Sequence, residues 1–190
     1  MKIYTIISGV NGVGKSSFSG VLKAERSDLG HVIDTDKIAA KNKIKALDAG
    51  KIAIGRINDY ISKDISFSQE TTLSGQRIIR TVKAVKEKGY FIRLFYIGLN
   101  SCEESVKRIK NRVEKGGHDI KVEDVTRRYN SRFDSLLQIL PFCNEVFFYD
   151  NENGFTEVGG YKNGELICKG DFKPEWLHEL QLTLQKENFL

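Results

Sequence analysis

The stretch Gly9-Val10-Asn11-Gly12-Val13-Gly14-Lys15-Ser16 decides the fold of this chain. Its spacing, G-x-x-x-x-G-K-[ST], is that of a Walker A phosphate-binding loop, or P-loop. Glycines let backbone N–H groups close around a phosphate chain. Lys15 places a point charge on the β- and γ-phosphates, and the Ser16 hydroxyl is suited to Mg²⁺. Residues 3–7 (Ile-Tyr-Thr-Ile-Ile) precede the loop as a β-branched apolar run, and Phe18, Val21 and Leu22 follow at helical spacing. Strand, glycine-rich loop and helix is the setting that separates a P-loop from an ordinary glycine turn. A nucleoside triphosphate is therefore expected on Gly9, Asn11, Gly12, Val13, Gly14, Lys15, Ser16 and Ser17, with Mg²⁺ on Ser16.

Composition narrows the setting. The 190 residues suit one domain with a real core. No apolar run reaches membrane-span length, and the chain enters a strand almost at once, so no signal peptide is visible. Cys102, Cys143 and Cys168 are odd in number and lack metal-ligand spacing, which points to free thiols in a reducing cytoplasm. The net charge of +5 suits an anionic ligand. Basic residues are dispersed among acids, and no RNA- or DNA-binding module pattern appears, which argues against a nucleic-acid role.

Further along, residues 31–34 read as a short strand ending in acids, with helical patterns over 37–48 and 52–62. Residues 65–70 read as a strand end. Residues 74–88 form an amphipathic helix with Ile78, Val82 and Val85 on one face and Gly89 as its stop. Residues 90–97 are a buried strand, and Ser101 with Glu104 makes a capping box for the next helix. Residues 122–140 read as one long helix closed by Pro141, and 146–149 as the last core strand. Alternating strands and helices predict an α/β fold: a P-loop NTPase-type parallel sheet with helices on both faces. Beyond it, Asn163-Gly164 is a hairpin signal, and Pro174 suits the start of a helix carrying Trp176, Leu177, Leu180 and Leu184. The expected organisation is a P-loop core over 1–151, with a C-terminal β-hairpin and helix over 152–190 appended to the same domain.

Ligands of open α/β sheets gather beyond the carboxyl ends of the strands. Those ends carry Asp34-Thr35-Asp36, Gln69-Glu70-Thr71-Thr72 and Asp150-Asn151. Phosphoryl transfer to a hydroxyl needs an acid beside the acceptor, and Asp36 is the candidate; a helix N-cap is its competing role. Asp34 suits Mg²⁺ held through water. Glu70 suits a substrate hydroxyl or amide, or is a solvated loop carboxylate. Glu104, Arg108 and Arg112 share a helix face, as a surface ion pair or as a lid over the γ-phosphate, with Gly116-Gly117 as hinge. Arg127, Arg128 and Arg132 lie on the following helix, where spacing alone favours solvation. His118 is a loop residue without a metal partner in sequence. Leu73-Ser74-Gly75-Gln76-Arg77 resembles the ABC transporter signature, but no Walker B acid pair follows, so that reading is rejected.

The chain resembles the zeta toxin family of P-loop kinases, in its bacterial zeta-like branch, over residues 1–151. The marks are the loop Gly9–Ser16, then Ile33-Asp34-Thr35-Asp36-Lys37-Ile38-Ala39 and Phe67-Ser68-Gln69-Glu70-Thr71-Thr72-Leu73-Ser74-Gly75. Arg112-Val113-Glu114-Lys115-Gly116-Gly117-His118-Asp119-Ile120, Arg127-Arg128-Tyr129 and Tyr149-Asp150-Asn151 complete them. The resemblance implies transfer of the ATP γ-phosphate to a hydroxyl of a UDP-linked amino sugar. It implies Asp36 as base, Glu70 and Thr72 as substrate contacts, Arg112 and Arg128 as lid arginines, and the adenine-side loop near Asn151. Ser74 stands where the toxins carry an arginine facing the sugar nucleotide, and Asp34 where Asn is common. The acceptor is therefore left open between a UDP-sugar and another hydroxylated metabolite.

Taken together, the sequence predicts an ATP- and Mg²⁺-dependent small-molecule kinase. Two other readings stay open: a toxin–antitoxin component defined by an antitoxin protein partner, and a nucleotide-dependent binding protein or NTPase without an acceptor.

Overall fold

The computed structural model describes residues 1–117 and 119–187. His118 lies outside the described residues.

Seven strands form one sheet in the order β2-β3-β1-β4-β5-β6-β7. β1 (Ile3–Gly9), β2 (His31–Ile33), β3 (Phe67–Thr71), β4 (Phe91–Gly98) and β5 (Glu145–Asp150) run parallel, and β6 (Thr156–Lys162) and β7 (Glu165–Cys168) extend the sheet antiparallel. β1 sits centrally and every one of its residues is buried, as its β-branched composition requires. Alternation along the strands divides the core. Tyr4, Ile6, Leu94, Tyr96 and Phe148 face one side, and Ile7, Phe95 and Ile97 the other.

The first side is covered by α2 (Thr35–Asn42), α3 (Ala46–Ser62), α4 (Gln76–Glu87), α7 (Asp134–Ile139) and α8 (Glu175–Glu187). On the second side lie α1 (Lys15–Glu25) and Tyr129 of α6 (Val122–Asn130). α5 (Cys102–Glu114) precedes α6, and its Ser101 N-cap accepts from Glu104 N, as the capping-box spacing predicts. Among the described residues no helix is long and apolar enough to cross a membrane.

Three expectations need correction. The pattern over 122–140 is not one helix: it breaks into α6, a turn at 131–133, α7 and a 3-10 turn at Leu140–Phe142 that contains Pro141. The apolar face does continue, with Val125, Tyr129, Phe133 and Leu136 all buried. However, Tyr129 packs on one side of the sheet and Phe133 and Leu136 on the other, so the chain must turn between them. Ser131 Oγ donates to Arg127 O and Arg132 donates to Tyr129 O, giving the last helical carbonyls new partners.

The pair expected at 37–48 and 52–62 instead divides at Lys43, which takes a left-handed φ of 52° at the end of α2. Val21 of α1 is exposed, while Phe18 and Leu22 enter the core.

The hairpin over Asn163-Gly164 forms as expected, both turn residues having positive φ. It joins the main sheet through β5–β6 pairing and buries Val158. α8 begins after Pro174, whose carbonyl accepts from Leu177 N and His178 N, and it buries Trp176, Leu177 and Leu180.

Candidate functional site

Parallel registry brings the chemically distinctive residues to one end of the sheet. Ile7 pairs with Glu70 and Ser8 with Thr71, so β3 ends level with the start of the phosphate loop. β2 runs beside β3 and delivers Asp34 and Asp36 to the same end. A cleft of about 710 Å³ opens there. It is lined by Asn11, Gly12, Gly14, Lys15, Ser16 and Ser17 of the loop, by Asp34, Asp36, Glu70, Thr72 and Ser74, and by Arg108, Arg112 and Arg128.

The loop itself is built for close approach. Gly12 and Gly14 take φ of 75° and 94°, a region costly for other residues. A Cβ on Gly12 would lie 2.7 Å from Ser105 O, and one on Gly14 would lie 2.8 Å from Asn151 Nδ2. α1 starts directly after Gly14, with no side-chain cap and no acid in its first turn. Its first N–H groups and the positive end of its dipole therefore face the cleft, a setting that favours a phosphate.

Lys15 folds back, its ammonium donating to Gly9 O at 3.0 Å and Val10 O at 2.9 Å. Burial pushes its pKa down to about 8; Glu70, Asp36 and Asp34 pull it upward, and Arg112 adds to the lowering.

Three groups meet at the foot of the cleft. Ser16 Oγ donates to Glu70 Oε2 at 2.8 Å and lies 3.5 Å from Asp34 Oδ2. Glu70 and Asp34 are both more than nine-tenths buried. Glu70 Oε1 has no hydrogen-bond partner among the described residues, and the Lys37 ammonium stands 3.8 Å from it and 3.3 Å from Asp34 Oδ2. A hydroxyl and two carboxylates make a hard oxygen donor set of the kind that suits Mg²⁺, and the Glu70 oxygen without a hydrogen bond fits that chemistry.

Asp34, not Asp36, is the N-cap of α2: its Oδ1 accepts from Asp36 N at 3.0 Å and Lys37 N at 3.1 Å. This removes the capping role weighed for Asp36, which lies in the first turn with its side chain lining the cleft. Thr72 Oγ1 and Ser74 Oγ share a hydrogen bond of 2.9 Å along the same wall.

The arginines sort by environment. Arg112 and Arg128 line the cleft, and Arg128 donates to Asn11 Oδ1 at 3.2 Å. Arg127 is exposed and paired with Asp124. Arg132 turns to Glu179 of α8 and lies over the Tyr129 and Phe133 rings. Arg108 lines the cleft too, but its guanidinium is held by Glu104 Oε1 at 2.8 Å and by the Glu152 carbonyl at 3.1 Å. Gly9, Val13 and Asn151 do not line the cleft. Val13 is buried in the core, and Asn151 supports the loop from behind, its Nδ2 donating to Val13 O at 2.8 Å.

Lys37 and Lys121 were not anticipated. Lys37 follows the Asp-Thr-Asp acids, and a lysine three residues after an N-cap acid is within ion-pair reach. Lys121 lines the cleft from the segment before α6 and carries no local signal.

No family model matches the chain. An uncharacterized protein of Haemophilus influenzae is 41% identical over 127 residues, which is 64% of this chain and 88% of that protein. Among solved structures, one from the PezAT chromosomal toxin–antitoxin system of Streptococcus pneumoniae matches with a TM-score of 0.62 at 17% identity, over 98% of this chain and 85% of that one. A chain of the AvrRxo1-ORF1:ORF2 complex with ATP matches with a TM-score of 0.65 at 13% identity, over 98% and 76%. The chain shares the fold of these two structures.

Proposed function

The chain belongs to the family of the Haemophilus influenzae protein, and from its site we propose that it is an ATP-dependent kinase that phosphorylates a hydroxyl of a small molecule. The observation that carries this reading is the meeting of Ser16, Asp34 and Glu70 at the foot of a cleft that also receives Lys15, Asp36, Arg112 and Arg128. A bare phosphate-binding loop would not need an acceptor-side acid facing its lysine across an open cleft.

In this reading the ATP phosphates lie along the loop N–H groups and the start of α1, and Lys15 leaves the Gly9 and Val10 carbonyls for the β- and γ-phosphates. Ser16, with Asp34 and Glu70, would hold Mg²⁺, which would supply neutralisation of phosphate charge. Asp36 accepts the proton of the acceptor hydroxyl as its oxygen attacks phosphorus, and ADP leaves. Arg112 and Arg128 stabilise the charge that develops on the transferred oxygens. Thr72 and Ser74 face the acceptor.

A UDP-linked amino sugar is the first acceptor to test, although Ser74 supplies no cation to a diphosphate. Incubation with ATP, Mg²⁺ and a panel of UDP-sugars and other hydroxylated metabolites, read by mass spectrometry, tests the reading. Gain of one phosphate on an acceptor supports it; steady ATP hydrolysis indifferent to Asp36→Asn and to every acceptor supports a bare NTPase instead.

A protein partner is a second reading, favoured by the toxin–antitoxin and two-chain complexes among the structural neighbours. An antitoxin covering the cleft would co-purify and block ATP binding.

A further inference from the structure

The C-terminal helix has no chemical residue in the cleft, yet it is wired to the phosphate loop. Trp176 of α8 is fully buried. Its indole packs on Gly98 at the end of β4, where a Cβ would fall 2.1 Å from the ring. The indole Nε1 donates to Asp150 Oδ1 at 2.8 Å, and the other carboxylate oxygen accepts from Glu152 N at 2.9 Å.

Asp150 is itself buried, so these bonds fix a charge that has little water to turn to. The next residue, Asn151, donates through its backbone to Gly98 O at 3.3 Å and through its side chain to Val13 O within the loop. Glu152, one further on, gives its carbonyl to Arg108. Three consecutive links therefore join four residues from α8 to the phosphate loop: Trp176, Asp150, Asn151 and Val13.

We propose that Trp176 is a positioning residue of the nucleotide site, holding the Asp150–Glu152 segment so that Asn151 fixes the shape of the phosphate loop. This rests on the nucleotide reading of the loop, not on transfer to an acceptor. The indole N–H is the part that matters, because a ring without it leaves the buried Asp150 oxygen without this donor. The coupling is reciprocal: nucleotide on the loop alters the surroundings of the indole.

Trp176 is the single tryptophan of the chain, so its emission reports this region alone. The test is titration of the full chain with ATP and Mg²⁺, following tryptophan emission and, separately, displacement of a fluorescent ATP analogue. The expected result is a saturable emission change with the same midpoint as displacement. In Asn151→Ala the emission change should be largely lost, with nucleotide bound more weakly. Trp176→Phe should bind the analogue at least about fivefold more weakly, as follows from losing a hydrogen bond to a buried charge. Bound nucleotide with unchanged emission in the native chain, or native affinity in folded Trp176→Phe, overturns the proposal. If Trp176→Phe does not fold, the native-chain emission decides. Absence of any nucleotide binding sinks the nucleotide reading and this coupling together, whereas binding without transfer removes the kinase reading and leaves the coupling intact.

Discussion

Ser16 donates its hydroxyl hydrogen to Glu70 at 2.8 Å, and that bond ties the start of α1 to the end of β3. The residue that follows the loop lysine is thus already engaged with an acid from another strand. Glu70 thus lies against Ser16 in the same cleft that Lys15 and Asp36 line. Glu70→Gln keeps the shape but halves the carboxylate charge beside Ser16. It should raise the Mg²⁺ concentration needed for half-maximal nucleotide binding by about tenfold, measured by titration of a fluorescent ATP analogue at varied Mg²⁺. An unchanged Mg²⁺ dependence would remove Glu70 from the cation site.

Lys15 gives a pH signature. Its pKa of about 8 in the folded protein lies below the ordinary lysine value of about 10.4, chiefly through burial. Between those values the unfolded chain holds more protons, so this group's contribution to stability rises with pH through that window and its burial cost is full below pH 8. Bound phosphates favour the ammonium, so nucleotide binding near pH 8 should take up about half a proton. Calorimetry in two buffers of different ionisation enthalpy measures the uptake. In Lys15→Arg, which does not titrate there, the uptake should disappear.

Arg112→Ala and Arg128→Ala should each lower the transfer rate by about 10²–10³ while nucleotide affinity changes much less. Arg127→Ala, an exposed residue paired with Asp124, should leave the rate within about twofold. Equal losses at Arg127 and Arg128 would contradict the assignment of the lid arginine.

Gly98→Ala tests the packing that seats α8. The new methyl would overlap the Trp176 ring, so stability should fall by about 2–4 kcal/mol in chemical denaturation. A fall below about 0.5 kcal/mol would mean that the helix adjusts freely.

What could be read in the sequence was local. The run at 3–7, the loop glycines, the Asn163-Gly164 turn and the Ser101–Glu104 cap all act within a few residues, and each appears where its pattern predicts. The strand ends followed because registry in a parallel sheet brings acids at equivalent positions to one edge. The helix break at 131–133 was hidden because the apolar spacing runs through it unbroken; only the assignment of Tyr129 and Phe133 to opposite faces reveals the turn. The Asn151–Val13 bond spans 138 residues and the Trp176–Asp150 bond 26, and neither leaves a trace in spacing. The same holds for Arg127 and Arg128, adjacent in sequence and set apart only by which one reaches Asn11.

In the proposed mechanism Asp36 carries the step that separates a kinase from a nucleotide-binding protein. The direct measurement is phosphate transfer by Asp36→Asn beside the native chain, with ATP, Mg²⁺ and the acceptor identified by mass spectrometry, together with nucleotide affinity. The expected result is native affinity and transfer reduced by about 10²–10⁴. Transfer at the native rate in Asp36→Asn would contradict it.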